Sequence, residues 1–254
     1  MVALRARPSR KKPRVPGGVR IYAIGDIHGR ADLLDLVLNQ IEIDLAKNPI
    51  PVAIEVYLGD YVDRGPASRE VIDRLVVRNR TFQAVFLKGN HESYLNQFAT
   101  NPAVLEEWRQ FGGLETLRSY GIVPSIHSGA DAQERLAARL RQALPASHTG
   151  FLNNLRLSFT CGDYFFTHAG VRPGITLTNQ REEDLLWIRQ DFLLCEDQFS
   201  KIIIHGHTPT LDPEVRPNRI NIDTGAYATG RLTCLRLEDD RIDFIQANSQ
   251  SGQQ

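Results

Sequence analysis

Cysteine is scarce. The 254 residues hold three, Cys161, Cys195 and Cys234, odd in number, far apart and without a C-x-x-C pair. That argues against a disulfide framework and against a thiolate zinc site, and leaves buried reduced thiols as the expectation. Long apolar runs are lacking as well. None approaches the ~18 residues that a membrane span needs, and the opening MVALRARPSRKKPRVPGG has no apolar stretch that could serve as a secretory signal. The expectation is an unanchored, cytoplasmic protein. Internal repeats are absent, and 42% hydrophobic with 24% charged residues is the balance of a soluble globular domain rather than a disordered, collagen-like or coiled-coil chain.

Acid is missing from the first 20 residues, which carry Arg5, Arg7, Arg10, Lys11, Lys12, Arg14 and Arg20. The zero net charge therefore hides an asymmetry: the remaining 234 residues hold 23 basic against 30 acidic side chains, a balance of −7. A basic arm with three prolines and no aromatic to stack a base reads as a solvated, flexible tail over residues 1–18. An acidic body argues against a large nucleic-acid footprint.

Past Gly18 the pattern alternates. VRIYAIGD reads as a strand, Ala31 to Leu45 as a helix with Leu33, Leu34, Val37, Leu38, Ile41 and Leu45 on one stripe, VAIEVYLGD as a second strand, Ser68 to Val77 as a second helix and TFQAVFLKGN as a third strand. Alternation of this size predicts a layered α/β domain with a largely parallel sheet, whose functional groups gather beyond the carboxyl ends of the strands. Residues 93–145 have helical period: a long stretch from Ser93 to Gln110, then GGLETLRSYG, then a helix with Leu136, Leu140 and Leu144 in line. From residue 155 strands return, with a hairpin at Gly162-Asp163, a buried strand KIIIHGH, and RINIDTGAY with RLTCLRLEDDRIDFIQA as a closing antiparallel set. The domain is expected to run over 19–247, with residues 248–254 frayed.

Polar residues cluster where those runs end: Asp26 and His28 in GDIHG, Asp60, Asp63 and Arg64 in GDYVDRG, Asn90, His91 and Glu92 in GNHE, His168 in THAG, and His205 and His207 in HGHTP. Alone, each is a common Asx turn or a hydrogen-bonded histidine. Five together, each after a strand, supply carboxylate, amide and imidazole ligands of the kind that manganese, iron or zinc accept, with no thiolate to suggest a structural zinc site.

In order and spacing, GDIHG, GDYVDRG and GNHE resemble the signature of the phosphoprotein phosphatase family of calcineurin-like metallophosphoesterases. THAG and GHTP resemble its bacterial and phage-type branch, that of serine/threonine protein phosphatases. The resemblance implies an α/β fold, a four-layer α-β-β-α sandwich of two mixed sheets, with two divalent metal ions per chain, manganese first and iron or zinc as alternatives. It implies Asp26 and His28 as ligands of one metal, Asp60 as the bridge, and Asn90, His168 and His207 as ligands of the second; His205 matches no ligand position.

Two ions and two aspartates would leave about +2 at the centre, enough to bind a phosphate dianion and acidify a bound water, and direct attack on phosphorus by a metal-bound hydroxide would be the expected chemistry. Arg64 is expected to clamp the phosphate, with Arg189 in LLWIRQDF resembling a second phosphate-binding arginine and Lys88 standing where eukaryotic members have arginine. His91 is the expected general acid and Asp63 its orienting partner. Tyr227 occupies the region where eukaryotic members carry an aromatic over the site.

The expected activity is phosphomonoester hydrolysis on phosphoserine, phosphothreonine and phosphotyrosine in proteins, with small phosphoesters as further substrates and no membrane partner. The first alternative is a hydrolase that splits dinucleoside tetraphosphates symmetrically, disfavoured by Asp63 and Glu92 where such relatives lack the one and read GNHD. The second is a non-catalytic scaffold on the same fold, disfavoured because every ligand position is filled.

Overall fold

The computed structural model of the chain describes residues 12–124 and 129–249, so expectations for residues 1–11 and 250–254 lie outside the described residues. The first half winds as the periodicity predicts. Strand β1 (Val19–Ile24) leads into helix α1 (Ala31–Lys47), β2 (Val52–Tyr57) into α2 (Ser68–Thr81), and β3 (Ala84–Phe86) into α3 (Asn90–Phe98). The second half adds β4 (Ser158–Cys161), β5 (Tyr164–Thr167), β6 (Ile202–His205), β7 (Glu214–Val215), β8 (Arg219–Asn221), β9 (Arg231–Glu238) and β10 (Arg241–Asn248).

Two five-stranded mixed sheets result, in the orders β10-β9-β1-β2-β3 and β4-β5-β6-β8-β7. Within them β1, β2 and β3 run parallel, as do β5, β6 and β8, while the hairpins β9–β10 and β4–β5 close the edges antiparallel. Period two along each strand decides the layers. Ile21 and Ala23 of β1 face Phe166, Ile204 and Ile220 between the sheets, whereas Tyr22 and Ile24 face α1 and α2. On the far side Phe165 and Ile203 pack under the helices Glu182–Trp187 and Gln190–Leu193 through Leu185 and Phe192. This is the α-β-β-α sandwich, and its two sets of parallel strands deliver their carboxyl ends to one edge.

Several details depart from the sequence reading. The basic arm joins the fold before residue 18: Val15 is buried and its N–H donates to Asp239 O, while Asp163 N–H donates to Arg14 O and Arg14 N–H donates to the Asp163 carboxylate, tying the turn of one sheet to that of the other. At the other end β10 continues through Asn248, and Ser249 N–H donates to Gly230 O. The helical stretch from 93 starts at Asn90 and breaks after Phe98 into short turns (Pro102–Val104, Leu105–Trp108, Arg109–Phe111), because Pro102 and Gly112, with φ of 92°, interrupt it. A further helix, Ala146–Asn153, lies beyond the expected limit at 145. RINID does not join the closing antiparallel set: β8 pairs parallel with β6 in the other sheet. Of the three thiols only Cys234 is buried. No helix among the described residues is long and apolar enough to cross a membrane.

Candidate metal centre

Five strand ends build the site. Asp26 and His28 follow β1, Asp60 follows β2, Asn90 follows β3, His168 follows β5 and His207 follows β6, and all six side chains are buried. Their backbone is bent to point them inward. Among the described residues six non-glycine positions have left-handed φ, and five of them, His28, Asp60, Asp63, Arg64 and His207, lie in these loops. Such conformations cost about 1 kcal/mol or more each and persist where the surroundings over-determine them. Two glycines allow the close approach: a Cβ at Gly89 would collide with Asp60 Oδ1, and one at Gly206 with Asp26 Oδ1.

Asp60 lies at the middle. Its Oδ2 is 3.5 Å from His28 Nε2 and its Oδ1 is 3.4 Å from His168 Nε2. Asn90 Oδ1 is 2.9 Å from His168 Nε2 and 3.0 Å from His207 Nδ1. Asp26 enters from the far side, its Oδ2 accepting the His207 backbone N–H at 3.0 Å. Two groups suited to a cation share Asp60: His28, Asp60 and His91, and Asp60, His168 and His207.

Proton accounting shows that these residues fit cations. His28 Nδ1–H donates to Val62 O at 2.9 Å and His168 Nδ1–H donates to Leu58 O at 3.0 Å, which leaves the Nε2 of each as a lone pair aimed at the Asp60 carboxylate. Burial pushes the His28 imidazole down to about 3 and also lowers His168 and His207, which favours the neutral form of all three rings, the form that can offer a lone pair to a cation. Asp26 Oδ1 and His207 Nε2 are buried without a hydrogen-bond partner. Burial, then the charges of Asp223 and Asp60, raise the Asp26 carboxyl well above its ordinary range. Lone pairs and carboxylates gathered out of water are stabilised by a divalent ion, and the mixed O and N donor set suits a borderline one.

Beside this centre stands a second constellation. His91 Nδ1 is 2.7 Å from Asp63 Oδ2, which also accepts from Trp108 Nε1 at 2.7 Å, while Thr116 Oγ1 donates to Asp63 Oδ1 at 2.6 Å. Burial works against a charged His91, but the carboxylates of Asp60 and Asp63 outweigh it and raise the proton affinity of the ring. His91 Nε2 faces the centre, 3.8 Å from Asp60 Oδ2, with Arg64 Nη2 at 3.4 Å. That last contact is long and easily exchanged.

The remaining expected residues divide. Arg64 is half-buried and stacks over Tyr227, its Cζ 4.6 Å from the ring centroid. Arg189 is exposed and close enough for its charge to depress the proton affinity of His168 and His207. Lys88 is not brought in: its Nζ is paired with Glu182 at 2.7 Å. His205 belongs to neither of the two groups around Asp60. As the last residue of β6 it points opposite to the inward Ile204, edge-on to Phe192 at 5.0 Å between ring centroids.

Three features were given no role from the sequence. Trp108 and Thr116 orient Asp63 from the helical region, and no local motif marks them. Glu92 receives the backbone N–H groups of Gly89, Asp60, Tyr61 and Val62, joining the second and third loops. Asp223, buried after β8, is electrostatically coupled to Asp26. Its signal is legible: IDTG is one more strand ending in Asp and Gly. Aromatic rings flank the centre on both sides. Tyr227 stands edge-on to His28 at 5.4 Å and Trp187 edge-on to His207 at 6.3 Å, and both are more than a third exposed.

This fold and this donor set define a metal-dependent phosphoesterase. The family model described as calcineurin-like phosphoesterase matches residues 19–245, and the chain belongs to that family. Among named relatives it is similar to the bis(5'-nucleosyl)-tetraphosphatase PrpE [asymmetrical] of Anoxybacillus flavithermus, 26% identical over 85% of this chain and 89% of the relative. The protein of the same name from Bacillus thuringiensis is 29% identical over the same shares. Among solved structures, one assigned provisionally as a diadenosine tetraphosphatase has a TM-score of 0.60 at 19% identity, covering 92% of this chain and 96% of that one. A protein serine/threonine phosphatase from Saccharomyces cerevisiae has 0.58 at 17%, covering 95% and 86%. At these identities the structural likeness speaks for the fold alone.

Proposed function

We propose that the chain is a metal-dependent phosphomonoesterase whose leading substrates are phosphoserine and phosphothreonine in proteins, with phosphotyrosine a third. The observation that carries this reading is the His91–Asp63 pair. A serine or threonine oxygen leaves badly as an alkoxide, and a buried imidazole held by a carboxylate is the group that gives it a proton. Asp63 fixes Nδ1–H, so the proton that His91 transfers is the one on Nε2, facing the centre. Arg64 gives up its loose contact with that atom to pair with two phosphate oxygens, and Arg189 meets the phosphate from the other side.

Asp26, His28 and Asp60 would hold one divalent ion and Asp60, Asn90, His168 and His207 a second. When bound, such ions neutralise phosphoryl oxygens and acidify a water towards neutral pH, with manganese the first choice. Lys88 contributes long-range charge and no contact in this reading.

A second reading is supported by a different observation. Relatives with nearly the same length carry the name of asymmetrical dinucleoside tetraphosphatases, and the exposed rings of Trp187 and Tyr227 on opposite sides of the centre suit a substrate with a flat base at each end. It replaces the symmetrical cleavage expected first as an alternative. One experiment separates the readings: rates on phosphoserine, phosphothreonine and phosphotyrosine peptides against a dinucleoside tetraphosphate, on one manganese-loaded sample with a chelator control. Faster chelator-sensitive release from peptides upholds the first. Faster cleavage of the dinucleotide into unequal nucleotides replaces it with the second.

A further inference from the structure

A cavity of about 480 Å3 opens on the helical side of the first sheet, between the end of α2, strand β3 and the helix Ala146–Asn153. None of the residues lining it holds a metal-centre side chain. Its charged groups are Arg80 and Arg156, and no carboxylate lines it. In a chain whose arginines are mostly paired, neither of these two has an ion-pair partner among the described residues. Asn79 and Asn154 add amide groups at the same rim, and the rings of Phe86 and Phe151, 5.0 Å apart edge-on, form an apolar floor with Val76 and Ala84.

Two unpaired guanidiniums above an aromatic floor have the composition of a site for a small organic anion. The guanidiniums supply paired donors for phosphate oxygens, the floor accepts an apolar or flat group, and the volume suits a ligand of nucleotide size. The cavity is also built into the chain that carries the metal centre. Arg156 N–H donates to Phe86 O, and Lys88 N–H donates to Arg156 O two residues before Asn90. Its rim therefore shares a strand with the GNHE loop, although none of its side chains reaches the centre.

We propose that this cavity is a second, non-catalytic binding site for a small organic phosphate, separate from the metal centre. The test uses the full chain in chelator, with phenylphosphonate as a non-hydrolysable probe, and follows the amide signals of Gly150 and Leu155 and the guanidinium signals of Arg80, Arg156, Arg64 and Arg189 by NMR. Saturable shifts at Gly150, Leu155, Arg80 and Arg156 are expected. R80Q and R156Q each raise the apparent Kd at that site about fivefold, the double variant by at least tenfold, and metal-loaded turnover is unchanged, because both side chains are exposed and unpaired. Shifts confined to Arg64 and Arg189, shifts that never saturate, or equal affinity in the double variant would each overturn the assignment. Since binding is read without metal and without turnover, failure of the proposed reaction leaves this result standing, and the reverse.

Discussion

Asp63 offers a substitution that changes charge and little else. Its Oδ2 accepts from His91 and Trp108, both fixed donors, and its Oδ1 from the Thr116 hydroxyl, which can rotate. In Asp63→Asn the amide oxygen keeps the two ring donors and the new NH2 turns to Thr116, whose oxygen then accepts. Geometry survives and the negative charge is lost. In the metal-free chain His91 owes its raised proton affinity first to Asp60 and then to Asp63, but cations on Asp60 cancel the first contribution, so Asp63 is the charge that remains in the loaded enzyme.

General-acid catalysis is worth ~10²–10⁴ in rate, or about 3–5 kcal/mol. D63N is expected to lower kcat on a phosphoserine peptide about 100-fold, yet at most about fivefold on 4-nitrophenyl phosphate, whose leaving group departs without a proton. The sign on the pH axis follows. The active form holds a proton on His91 and is lost as pH rises through its pKa, so removing the Asp63 charge moves the alkaline fall of kcat/KM to lower pH. Equal losses on both substrates with an unmoved alkaline limb would refute the acid role and leave Asp63 a merely structural carboxylate.

Other perturbations separate the remaining roles. Asp60→Asn should lower bound metal and turnover together, as metal analysis and rates on one sample would show; full metal content with full activity contradicts the bridging position. His205→Ala should leave metal content unchanged while costing about 2–4 kcal/mol in denaturant unfolding, since it empties space beside Phe192; loss of an ion would mean that His205 is a ligand. Lys88→Ala should raise KM no more than about threefold, because its ammonium rests on exposed Glu182, and a tenfold rise would put Lys88 back on the phosphate. Arg64→Gly and Arg64→Ala should lose activity alike, but the glycine variant should be about 1 kcal/mol the more stable, because φ at 64 is 67°; equal stabilities would show the backbone there to be unstrained.

The fold was legible wherever apolar period and turn residues agreed. β1, α1, β2 and α2 lie where the apolar pattern puts them, because α1 and α2 each bury one apolar stripe on the sheet and β1 and β2 are apolar on both faces. Legibility failed where pairing is long-range. RINID is three residues of strand with no local sign of which sheet it completes, and only its parallel register with β6 decides. At the site, strand-end motifs named the six buried side chains that the fold gathers around Asp60, because short polar residues on glycine-flanked turns leave a dense local signature. Trp108 and Thr116 left none. They reach Asp63 across 45 and 53 residues, and the reason for a tryptophan at 108 is a hydrogen bond that only the folded helical region creates. Lys88 stands in a motif position, but its long side chain pairs with Glu182, which no local pattern announces.

The same geometry explains why the centre tolerates its backbone strain. Asp60, at φ 51°, is held by its own N–H to Glu92 and by its carbonyl, which accepts from Ile27 and His28 N–H. His28, at φ 47°, is thereby fixed by the loop it must face. The strained residues thus hold one another in place, and Glu92 is common to two of the loops. All four groups facing its carboxylate are N–H donors, so both oxygens must be bare for the four bonds to form. Burial pulls the other way, towards about 7, and the geometry of four donors is the stronger argument at neutral pH. Glu92→Gln sets an NH2 against those donors, leaving buried N–H groups unpaired at about 1–3 kcal/mol each. It should therefore reduce global stability and loosen both metal groups at once, although Glu92 holds neither ion. Weakened metal retention with wild-type unfolding, or full retention with full stability, would show that the loops are held by something other than this carboxylate.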